Sequence, residues 1–251
     1  MPGLLPAVPR SAEPVAITPS VVTPLGVLGF GGVLDHWKVP ARPRTVHRLP
    51  DGGMIFRWEH KIAELELLLR RFEPPTQDGT LPLADCWGAV WRVGAHRLLS
   101  RVELSARVHA VPEDVRSGYN GGQALAAVSL SNAGTVLTLG GPDEEDICSR
   151  AERDAGLPRR WAGLLDEGGA GSPHMTWGVD YLDDNRGLRW ALPPLAKGEH
   201  CVLHVAVSWR TPAPGEDEDD ISTWWAVLVN PEHIMGPAPA STRAAPKARP
   251  R

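Results

Sequence analysis

From Arg101 to Ala110 apolar and polar positions alternate without a break. Val102, Leu104, Ala106, Val108 and Ala110 fall on one side and Arg101, Glu103, Ser105, Arg107 and His109 on the other. A period of two places these sets on opposite faces of a half-buried β-strand. Cys201 to Trp209 repeats the pattern, with Cys201, Leu203, Val205, Val207 and Trp209 turned inward, and the apolar run Thr223 to Val229 is expected to be its strand partner. Two β-prone runs in residues 124–139, separated by Ser131-Asn132-Ala133-Gly134, predict a hairpin in which Asn132 and Gly134 supply positive φ. Met54 to Trp58, Trp87 to Val93 and Met175 to Tyr181 are shorter strand candidates, and residues 62–72, which fit both periods, are read as strand.

One region breaks the β pattern. Gly141-Pro142 followed by Asp143, Glu144, Glu145 and Asp146 reads as a helix start, with Pro in the first turn and carboxylates at the positive dipole end. Ile147, Cys148, Ala151 and Ala155 form its apolar stripe, Gly156 ends it, and a second short helix is expected after Pro158 to bury Trp161, Leu164 and Leu165. The expected fold is mainly β: an antiparallel β-sandwich or jelly-roll-like domain with a short helical insertion around 142–167. The turn Leu192 to Glu199 leading into Cys201–Trp209 resembles the loop-then-strand pattern of immunoglobulin-like and jelly-roll sandwiches, which implies the architecture and no particular family.

Three parts are expected: an apolar Pro/Gly-rich N-terminal arm over 1–34, a β-rich globular domain over 35–235 and a disordered basic tail over 236–251. The arm suits packing either on its own domain or on a neighbouring subunit. Its first twenty residues, interrupted by prolines and by Glu13, do not read as a signal peptide, and no apolar run is long enough to span a membrane. A cytoplasmic protein with no membrane partner is expected. Three widely spaced cysteines do not suggest a disulfide framework. A net charge of -4 gives no bulk attraction to nucleic acid, which makes nucleic acid an unlikely partner.

Familiar catalytic and phosphate-loop motifs are absent from the sequence, and no cofactor is expected. Ten tryptophans against three phenylalanines make aromatic recognition worth weighing, with Trp224 or Trp225 facing outward beside the acidic run 216–220. Tyr119, in the loop Gly118–Gly122, could reach a ligand, and Arg101 and Arg107 share a strand face with His109 where an anion could sit. His174, His200 and His204 are candidate metal ligands, although His200 and His204, four apart on a strand, have Cα atoms about 13 Å apart. The leading functional reading is a non-catalytic β-sandwich interaction or assembly protein, such as a subunit of a larger multi-protein particle, that binds a protein partner or self-associates through residues 1–34. The alternatives are a metal-dependent jelly-roll enzyme using those histidines, or a small-ligand or carbohydrate-binding module using exposed Trp.

Overall fold

The structure, a computed structural model, describes residues 17–75, 79–165, 176–182, 184–212 and 221–236. Its strands are β1 (Ser20–Thr23), β2 (Gly26–Leu34), β3 (Trp37–Lys38), β4 (Thr45–Arg48), β5 (Met54–Glu59), β6 (Ala63–Arg71) and β7 (Asp85–Ala95). They continue as β8 (Val102–His109), β9 (Arg116–Tyr119), β10 (Leu125–Asn132), β11 (Thr135–Pro142), β12 (Gly178–Tyr181), β13 (Gly187–Leu192) and β14 (His200–Arg210). They form two antiparallel sheets. The larger runs β4-β5-β6-β7-β14-β11-β10-β9; the smaller runs β1-β2-β8-β13-β12, with β3 paired to β2. The mainly β sandwich read from the alternation is what the chain adopts, and residues 62–72 contribute strand β6.

The sheets face each other across one apolar core. Leu28, Leu104, Ala106 and Trp190 from the smaller sheet meet Phe56, Leu67, Trp91, Leu203 and Val205 from the larger. Trp91 and Trp190 are fully buried with ring centroids 6.1 Å apart, and the Trp190 indole N–H donates to the Pro142 carbonyl at 2.8 Å. Burying an indole removes a large apolar area from water, provided its one donor finds a partner.

The N-terminal stretch enters the fold from residue 20. Residues 20–34 supply β1 and β2, and β2 pairs with β8 along its whole length, from Val27 opposite His109 to Leu34 opposite Val102. Of the two places an arm could pack, this part packs on its own domain. Residues 1–16, the tail 237–251 and the acidic run 216–220 lie outside the described residues.

A correction concerns the C-terminal end. Residues 223–229 are not a strand; Ser222–Val227 forms helix α2, and Pro231–Met235 forms helix α3. β14 pairs instead with β7 and β11. An unbroken apolar run carries no periodicity to separate helix from strand. Here Trp224 and Val227, three apart, both turn onto the outer face of the larger sheet, where they join Ile55, Leu68, Val90, Val202, Ala206 and Ile234 in a second apolar layer. Ile234 sits so close over Gly88 that a Cβ there would come within 2.4 Å of it, so the bare backbone of β7 is what lets α3 lie flat.

The hairpin of β10 and β11 is present, with its turn closed in another way. Neither Asn132 nor Gly134 has positive φ; the Asn132 side-chain oxygen accepts from the N–H groups of Gly134 and Thr135 at 3.0 Å each. The expected helical insertion forms α1 (Glu144–Glu152) and a short 3-10 turn (Arg159–Trp161) that buries Trp161.

Candidate functional site

The site grows from the point where β11 leaves β14. The two strands pair as far as Gly140 opposite Ala206; then Pro142, which has no N–H, ends the ladder and the chain turns into α1. The Asp143 side chain caps this helix by accepting from Asp146 N–H at 3.0 Å, and Glu144, Glu145 and Asp146 fill its first turn. On its β11 side β14 is thereby left without a strand neighbour near Val202, while β7 still pairs the other side. The return from α1 fills the gap: Val202 N–H donates to the Gly156 carbonyl at 2.8 Å, and the buried Arg150 guanidinium donates to the Val202 carbonyl at 2.9 Å. These bonds fix α1 two residues away from His204.

The opposite wall is the joint between α2 and α3. The Thr223 carbonyl accepts from Ser208 Oγ at 2.8 Å, and Thr223 Oγ1 lies 2.8 Å from Thr138 Oγ1, which ties α2 to β14 and β11. Asn230 caps α3 by accepting from His233 N–H at 2.9 Å, with Pro231 in the first turn. Between the walls lies a cavity of about 310 Å³, lined by Gln123, Leu125, Asp146, Arg153, His204 and Asn230 among others.

His204 is 98% shielded from solvent by the α2–α3 joint, and its Nε2 lies 2.5 Å from the Val229 carbonyl. A carbonyl only accepts, so Nε2 carries the proton and Nδ1 is left as an acceptor. Burial, reinforced by Arg150, lowers its pKa to about 3, against the partial support of the Val229 bond. The ring is neutral near pH 7. Asp146 is moved the other way: burial raises its pKa, Arg150 and Arg153 oppose the rise, and Asp143 and Glu232 add to it. The cavity wall therefore carries a neutral imidazole from β14 and, from α1, a carboxyl whose ionisation burial disfavours.

Of the residues singled out in the sequence, only His204 lines this cavity. His200 lies at the start of β14, half-buried, on the same strand as His204 and four residues away; His174 lies outside the described residues. Among the described residues no group of three or more His, Cys, Asp and Glu side chains could hold a metal ion. Trp224 is buried and donates from its indole to the Asn120 carbonyl at 2.9 Å, and Trp225 is half-buried with its ring edge-on to Trp224. All ten tryptophans are buried or half-buried, so a module built on exposed Trp does not hold. Tyr119 is 65% exposed beside Tyr181, at the far edge of the larger sheet. Arg101 and Arg107 lie on the open face of the smaller sheet, bonded to Glu103 and Asp184 at 2.6 Å each.

The cavity residues that sequence reasoning missed were hidden by their context. Asp146 sits in an acidic run whose dipole role is sufficient explanation by itself. Asn230-Pro231 is a cap followed by a first-turn proline, a legible helix start that the strand reading of 223–229 obscured.

No family model and no curated protein matches the chain. Among solved structures it is similar to a protein assigned as a kojibiose phosphorylase, from the human microbiome (7% identity, TM-score 0.44, 79% of this chain and 24% of that one). It is also similar to a polysaccharide lyase (14% identity, TM-score 0.32, 76% of this chain and 26% of that one). The chain spans about a quarter of each, and likeness at this level carries no activity across. The expectation of a non-catalytic assembly protein is nonetheless corrected. Of the arm over 1–34 that was to lace neighbours together, residues 20–34 are used as β1 and β2 within the chain's own sheet.

Proposed function

We propose that the chain binds a small, uncharged, hydroxyl-rich molecule of about monosaccharide size in the cavity over His204. One observation carries the reading: a cavity of about 310 Å³ in which apolar Leu125, Pro142 and Leu228 alternate with donors and acceptors from Gln123, Asp146, Arg153 and Asn230. That volume lies at the lower end of small-molecule sites. A hydroxyl both donates and accepts, so a polyol satisfies a mixed wall that a purely apolar ligand would leave unpaired. The imidazole is neutral, and the Asp146 carboxyl and Arg153 guanidinium on the same wall offset one another, so the lining as a whole does not call for a charged guest.

The test is calorimetric titration of the full chain with neutral monosaccharides and alditols, repeated with Arg153→Ala and Asp146→Asn. Saturable binding that weakens about tenfold in Arg153→Ala supports the assignment, since losing a charge-assisted hydrogen bond is of that size. Absence of saturable binding across the panel, with the protein folded, overturns it.

A further inference from the structure

The open face of the smaller sheet carries a second concavity. It measures about 540 Å³ and is lined by Thr18, Ser20, Gly29, Gly31, Ser105, Arg107, His109 and Arg189 among others. Register builds it. Gly29 lies opposite Arg107 and Gly31 opposite Ser105, while Ser105 in turn faces Arg189 on β13. Arg107 and Arg189 are thus diagonal neighbours on adjacent strands, roughly 7 Å apart at the backbone. The two glycines make the floor low: a Cβ at Gly31 would lie 2.8 Å from Ser105 Oγ, and one at Gly29 would lie 3.2 Å from the His109 ring.

The chemistry of this trough differs from that of the His204 cavity. Two guanidiniums line it, and among the described residues no carboxylate does. Each guanidinium is braced from outside, Arg107 by Asp184 and Arg189 by Asp180, at 2.6 Å in both cases. Those bonds use one N–H of Arg107 and two of Arg189 out of the five that each fork carries, so both retain donors held in place by their partners. Hydroxyls from Thr18, Ser20 and Ser105 also border the space.

We propose that this trough binds a phosphate group carried on a small organic molecule. Guanidiniums from two strands border the space with hydroxyls on more than one side, which suits a tetrahedral oxyanion better than a planar carboxylate. The space is several times larger than the anion itself, leaving room along the glycine floor for the carrier.

Calorimetry on the full chain tests the assignment, with a hexose phosphate, the matching neutral hexose, inorganic phosphate and sulfate as probes. Variants are the double substitution Arg107→Gln with Arg189→Gln and, as a control, Arg44→Gln beside β4. The hexose phosphate is expected to bind more tightly than inorganic phosphate. The double variant should weaken it about tenfold or more while Arg44→Gln leaves it unchanged. Binding of inorganic phosphate as tight as that of the ester removes the organic carrier and overturns the proposal as stated. So does the absence of saturable binding by any phosphate, or an unchanged affinity in a double variant whose circular dichroism matches wild type. The neutral hexose reports on the His204 cavity separately. If it binds and no phosphate does, the trough fails while the cavity stands; the reverse result separates them the other way.

Discussion

Strands β8 and β14 show how differently the two sheets treat the same alternating pattern. In β8, buried and more accessible residues alternate from Val102 to His109, because only one face of its sheet is covered. In β14 every residue after His200 is buried, because helices α2 and α3 cover the outer face while the core covers the inner one. The polar positions of β14 are therefore enclosed as well. His204, Ser208 and Arg210 are all buried, and His204 and Ser208 bond to the helical cover. A strand read as half-buried becomes fully buried once a third layer is added, and its polar residues pass from solvent contacts to interior hydrogen bonds.

The contrast can be broken or sharpened by substitution. The largest effect is expected in the core that both sheets share. Trp91→Ala should cost about 3–5 kcal/mol in urea unfolding, and a loss below 1 kcal/mol would show that the sheets are not packed through that ring. The outer cover comes next. Ile234→Ala removes contacts over Gly88 and should cost about 2–3 kcal/mol, whereas an unaffected midpoint would mean α3 contributes little to the third layer.

A smaller effect depends on pH and belongs to the covered face alone. The folded-state pKa of His204 is about 3 and its ordinary value is 6.5, so below pH 6.5 the unfolded chain takes up a proton that the folded chain refuses. Stability from this group is intact above about pH 6.5 and declines as pH falls toward 3. Between pH 7 and pH 5, wild type should lose about 2 kcal/mol more than His204→Gln. Parallel losses in the two proteins would place His204 in a solvated setting. Last, Arg101→Ala on the uncovered face should change stability by less than about 0.5 kcal/mol, because its pair with Glu103 is exposed. A larger loss would indicate that something covers that face.

The strands were legible where one face meets water. β8, the β10–β11 hairpin and the acidic start of α1 each carry a local signal: a period of two, an Asn-containing turn, or carboxylates after a proline. The end of the chain was not legible in the same way. Trp224 to Val229 is apolar throughout, and that composition is compatible with a buried strand or with a short helix lying on a sheet. The candidate site was less legible still. Of its lining residues only His204 stood out, as a candidate metal ligand, and its four-residue spacing from His200 on a strand already spoke against a shared metal.

The amino-acid order by itself determined the class of fold, because alternation and turn chemistry are local properties that each segment carries wherever it is placed. Tertiary structure alone decided which strand faces would be covered and which polar groups would meet. Asp146 and His204 lie 58 positions apart in the chain and approach one cavity only because β11 leaves β14 early and α1 is bonded into the gap. Packing sets that proximity, and with it the burial that moves both groups away from their ordinary ionisation.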